Sequence, residues 1–209
     1  MAIYSTTAQQ GIDINNVFLL DPTNALEYPA PPFLPGELAW GTDGSEWVYA
    51  TASVTIAAGN AVLFSQFPGS WSVAPLVGAT VTQIGISPLT GAAATVTTTT
   101  MLGALVGIVG GTTGSVAVPA PSGTQTGAFF WVQRAGNCPN ITMTGTGTTF
   151  ANLHSSTVSG ALSSVTGGVG TTVEVTGIVW SVATASAAGP NPGILNYPYI
   201  AAGTVAPVG

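Results

Sequence analysis

Lysine is absent from all 209 residues, arginine, histidine and cysteine occur once each, and charged residues make up 4% of the chain. Ordinary soluble domains carry roughly 25%. Each shortage excludes something. Phosphate contacts come mainly from Lys and Arg through counterion release, and a chain of formal net charge −6 is repelled by a duplex. No nucleic-acid partner is expected. One His and one Cys cannot build a structural zinc site within the chain. Asp13, Asn15 and Asp21 lack the spacing of a calcium loop, which leaves them only an ion shared between subunits. The glycine triplets at 145–147 and 168–170 lack the third glycine and trailing lysine of nucleotide loops, so no cofactor is expected. Cys138 has no disulfide partner and reads as a small inert hydrophobe made in a reducing cytoplasm.

Long hydrophobic runs are also missing. The longest, MLGALVGIVGG at 101–111, is glycine-rich and about half of the ~20 residues that a membrane span requires. No membrane partner is expected. The opening MAIYSTTAQQG has neither a positive nor an apolar signal region, so no secretory signal is expected there, and the triplet Asn140-Ile141-Thr142 reads as a chance glycosylation match. Catalytic patterns are equally thin. His154 is the sole imidazole, it lies in a polar HSS stretch as a solvated or hydrogen-bonded residue, and no G-x-S-x-G elbow accompanies it. Asp43 and Glu46 in GTDGSEW are the one close acid pair beside an aromatic, and a glycosidase needs only two carboxylates. The DG turn, however, explains Asp43 without chemistry. The expectation is a protein that is not an enzyme.

What is present is a chain able to fold. Hydrophobic residues are 46%, with five Trp, seven Phe and five Tyr. Its surface must then be made of Thr, Ser, Gly, Ala and Asn, which lacks the charge repulsion that keeps monomers apart. Obligate assembly follows. Six acids, Asp13, Asp21, Glu27, Glu37, Asp43 and Glu46, lie in the first 46 residues, and beyond them only Arg134 and Glu174 are charged. This contrast divides the chain into an extended arm (1–46), a β domain (47–189) and an extended C-terminal tail (190–209). The arm holds EYPAPPFLPGE (27–37), whose prolines fix φ and remove donors. Tyr28, Phe33, Leu34 and Trp40 are interleaved with it, either laid onto another surface or folded back on their own domain. Tyr28, Phe33, Leu34, Trp40, Trp47 and Arg134 are the candidate interface residues, with Trp47 equally suited to the core. Arg134 ends an apolar strand, to be paired with Glu174, paired with an arm acid of a neighbouring subunit, or solvated.

The β domain reads as many short strands: WVYATASVTI (47–56) closed by an AAGN turn, AVLFSQF (61–67), AFFWVQR (128–134) bounded by AGN, NITMTG (140–145) as its return partner, and TTVEVTGIVWSV (171–182). In the last, Val173, Val175 and Val179 face one way and Glu174, Thr176 and Trp180 the other. The Thr-rich TVTTTT (95–100) reads as a packed strand. The fold class is all-β, a sandwich or barrel with a Pro-rich arm.

GTDGSEWVYATASVTIAAGNAVLF (41–64), GAFFWVQRAGN (127–137) and GIVWSVATASAAG (177–189) together resemble the small capsid decoration, or cement, proteins of tailed double-stranded DNA phages. The resemblance covers about a third of the chain. It implies a β module on the outer surface of the virion shell, often a homotrimer, that clamps neighbouring major capsid subunits and has no enzymatic activity. The sequence departs from that pattern in its scarcity of charge, its Pro-rich arm and the long ending ILNYPYIAAGTVAPVG. The rival expectation is a receptor- or carbohydrate-binding module of a tail fibre or adhesin, since Trp and Tyr beside Asn and Thr suit sugars.

Overall fold

β-branched and aromatic residues between glycine-marked turns favour strands over helices, and the computed structural model contains no helix among its described residues. Those residues are 13–14, 16–20, 31–52, 54–64, 71–77, 105–109, 127–144, 153–164, 172–180 and 189–202. The strands are β1 (Phe18–Leu20), β2 (Leu38–Trp40), β3 (Glu46–Ala52), β4 (Ala61–Phe64), β5 (Val73–Pro75), β6 (Val106–Val109), β7 (Gly127–Met143), β8 (Leu153–Ser155), β9 (Leu162–Ser163), β10 (Glu174–Trp180) and β11 (Gly189–Ala202). The all-β expectation holds.

The 17-residue β7 is the spine. Its first half pairs with β3, setting Tyr49 against Trp131 and Ala50 against Phe130, and its second half pairs with β11. Pairings among β3, β7, β6, β4 and β5 close into a ring through a bridge from Thr51 to Ser72. A second ring runs β7, β9, β8, β10, β11 and back to β7. The two barrel-like circuits share β7, and closure removes open edges around them.

Three apolar clusters fill this frame. Val48, Ala50, Val62, Phe64, Phe130 and Val132 belong to the cluster of the first ring. Ile141, Met143, Leu153, Val175, Leu195 and Ile200 belong to that of the second. Strands β4 and β6 are buried on both faces because Ala61, Leu63, Val106 and Ile108 point into one cluster while Val62, Phe64 and Val109 point into the other. A third cluster of Ala39, Trp47, Tyr49 and Trp131 lies on the opposite face of β3 and β7, covered by Ile14, Phe33 and Phe129.

Four expectations are corrected. The AGN after Arg134 does not turn the chain back: Gln133 donates from Nε2 to the carbonyls of Ala135 (3.0 Å) and Asn137 (2.9 Å), and Gly136 at φ +93° absorbs a bulge. NITM therefore continues β7 instead of returning beside it. Residues 190–202 are not a free tail, since β11 pairs with both β7 and β10. The boundary after residue 46 is not structural either, because β2 pairs with β3 and Phe33 packs edge-on to Tyr49 (5.4 Å) and Trp131 (5.1 Å). Lastly, Gly177 at φ +88° shifts the β10 register, so Ile178 takes the inward place assigned to Val179, which is exposed. The AAGN turn is as expected, with the amide of Asn60 donating to the carbonyl of Ala57 at 3.2 Å. TVTTTT lies outside the described residues.

Candidate interaction surface

The segment from Leu34 to Glu46 forms a hairpin that carries apolar and acidic side chains outward. Its entry is fixed by Gly36, whose amide donates to the carbonyl of Tyr49 at 2.8 Å and whose φ of +98° suits glycine. A Cβ there would run into the Trp71 indole. At the tip, Asp43 Oδ1 accepts from the amide (3.0 Å) and hydroxyl (2.7 Å) of Ser45, and the Ser45 hydroxyl accepts from Trp47 Nε1 at 2.8 Å. Asp43 thus serves the turn, as the DG signal suggested. Between these ends β2 alternates: Ala39 points into the third cluster while Leu38 and Trp40 face solvent.

Trp40 stands across the β2–β3 ladder from Glu46, a spacing that brings side chains into contact range. Glu46 Oε2 accepts from the Tyr197 hydroxyl at 2.8 Å, joining the hairpin to β11. The Tyr197 ring, 49% exposed, also covers the Arg134 guanidinium at 6.0 Å, and Phe64 approaches that guanidinium at 5.6 Å. Arg134 is only 6% exposed and its Nε finds no partner. Burial lowers its pKa, opposed by the nearby Glu46 charge. The Tyr197 pKa is raised, mainly by its hydrogen bond to Glu46. Tyr197 adopts φ +48°, unusual for a residue with a side chain.

A second exposed face lies on β10 and β11, where Val179 opposes Ile194 and Thr176 opposes Tyr199, with Leu105 bridging to Tyr199. It carries no charged side chain in that set.

The candidate residues separate clearly. Leu34 (69% exposed) and Trp40 (40%) lie on the outer face of the hairpin. Trp47 is buried in the third cluster and Phe33 is half-buried on it, so both belong to the protein's own core. Tyr28 lies outside the described residues. Arg134 is neither solvated nor next to Glu174; its acid neighbour is Glu46 of the same chain, while Glu174 pairs in register with His154 and Ala202. His154 is buried in β8, not solvated, and Asn140 is buried in β7, where a glycan has no access. Asn15 and Asp21 of the possible ion site lie outside the described residues. Among those described, no three of His, Cys, Asp and Glu come together.

Leu38, Ile194, Tyr197 and Tyr199 were missed by sequence reasoning. Tyr197 and Tyr199 flank Pro198 in a stretch read as a tail, and only the pairing of β11 brings Tyr197 beside the hairpin and Tyr199 beside Thr176 and Leu105. No protein-family model matches the chain, and no curated protein does.

Proposed function

We propose that the chain is a non-enzymatic structural protein of a tailed phage virion, one that binds the outside of the capsid shell and stabilises contacts between major capsid subunits. One observation carries this reading. The only basic side chain is buried, and apolar side chains stand exposed along both the hairpin and the β10–β11 face. Such a surface is kept soluble by little charge repulsion and is stabilised by cover from other subunits. The β10–β11 face, whose one carboxylate is the half-buried Glu174 at its end, suits contact between identical copies, as in a trimer, because bringing it against itself sets few like charges together. At ~25 cal/mol per Å², about 1,000 Å² of apolar contact supplies a gross ~25 kcal/mol before association costs. Many copies arranged by symmetry add avidity.

The test is to strip virions of the chain, add it back purified, and follow co-sedimentation with the shells and the temperature at which they release DNA. Saturable binding with a raised release temperature is expected; no binding contradicts the reading. A sugar-binding role is favoured by the exposed Trp40 and Tyr197 rings beside Glu46. Glycan-array binding in a protein that ignores shells would establish that role instead.

A further inference from the structure

We infer that the Leu34–Glu46 hairpin is the face that docks on a different protein, one whose surface presents lysines or arginines around an apolar depression, and that it is not a contact between copies of this chain. The inference rests on the shell-binding reading and names the face that does the binding.

Leu34, Leu38 and Trp40 are exposed on the hairpin, and Tyr197 extends the apolar area next to Glu46. Two carboxylates are set beside them, Asp43 capping the tip and Glu46 facing Trp40, while Glu37 falls on the other side of β2, the side of Ala39 and Tyr49. Asp43 and Glu46 each accept hydrogen bonds that hold them in place, so the charges are presented at fixed positions. A second copy is a poor occupant. The chain has no lysine, and its one arginine is 6% exposed beneath Tyr197 and Phe64. Face-to-face pairing of two hairpins would set carboxylates against carboxylates, and no other face among the described residues has an exposed lysine or arginine to offer. Like charges without counter-charges disfavour such a contact, whereas basic groups on a foreign partner would complement it and speed encounter. Self-contacts then fall to faces with less charge. An exposed tryptophan ringed by fixed charges also matches the usual anatomy of a binding hot spot.

The experiment uses the full chain and stripped virion shells as the probe. Co-sedimentation is measured for wild type, Trp40→Ala, Leu34→Ser and Asp43→Asn, which keeps the accepting oxygen of the turn and removes its charge, at about 50 and 500 mM NaCl, with the mass of each free protein measured by light scattering. Leu34 lies on an exposed loop, so its variant keeps the test informative if Trp40→Ala unfolds. Expected are an affinity loss of about tenfold or more for Trp40→Ala, a smaller loss for Asp43→Asn, weaker wild-type binding at high salt, and no change in free oligomer mass. Variants that bind shells like wild type would place docking elsewhere and overturn the inference while leaving the shell-binding reading intact. A lowered oligomer mass in the hairpin variants would make the hairpin a self-contact and overturn it also. Wild type that ignores shells would remove both.

Discussion

At the residue scale, Arg134 is the instructive side chain. A guanidinium buried under two rings, with one nitrogen unpartnered, has paid a desolvation cost that Glu46 offsets only in part. Its bulk matters more than its charge. Arg134→Met is therefore expected to leave unfolding free energy within about 1 kcal/mol of wild type. Arg134→Ala, which opens a void beneath Phe64 and Tyr197, is expected to cost about 2–4 kcal/mol. Urea unfolding of the two variants checks the contrast. Cys138 offers a second prediction. Burial raises its thiol from 9.0 to about 11, while a backbone hydrogen bond with Asn140 acts the other way. Because the folded value is the higher one, the stability from burying the neutral thiol is complete below pH 9 and is lost as pH rises through 11. The loss should amount to about 2–3 kcal/mol. Cys138→Ala should flatten that part of the stability curve; an unchanged slope in the variant would place its origin elsewhere. Tyr49, raised by burial and then by Glu37, adds its own loss at still higher pH.

At the scale of elements, the decisive feature is the bend in β7 that hands the strand from β3 to β11. Ala at position 136 would need a left-handed backbone and would press its Cβ on the Ser45 backbone at 2.6 Å. Gly136→Ala is expected to destabilise by at least about 2 kcal/mol. Thermal melts of this variant beside Gly44→Ala provide the comparison, since position 44 shares the positive φ but has open space around it. A Gly136→Ala loss no larger than that of Gly44→Ala would remove the packing part of the argument. The same bend explains what the sequence could and could not show. Strand-forming runs and the AAGN turn were legible because they depend on local preference. AGN after Arg134 has the composition of a hairpin turn, and the side-chain bonds of Gln133 together with the long-range pairing to β11 make it a bulge. Val179 was misassigned for a related reason: at Gly177 the pairing with β11 is interrupted, and the inward position moves by one residue to Ile178, so strict alternation fails beyond it. The outward Leu34 and Trp40 were legible as apolar residues among prolines. Tyr197 was not, because its partner Glu46 is 151 positions away.

At the scale of the whole molecule, scarcity of charge governs behaviour. With a sequence pI near 4.1 and no lysine, the chain loses nearly all its net charge as pH falls toward 4. Association should grow steeply there and reverse on return to pH 7, as light scattering would show. A protein still monodisperse at its pI would have a better hydrated surface than its residues suggest. On the proposed reading, the exposed apolar faces and the buried arginine share one explanation, cover by sister copies and shell subunits. The most direct measurement is the quantity of this chain in purified phage particles, determined by mass spectrometry against the major capsid protein. A fixed stoichiometric ratio that survives repeated gradient purification is the expected result. Recovery only in the free fraction of the lysate, with none on the particles, would contradict it.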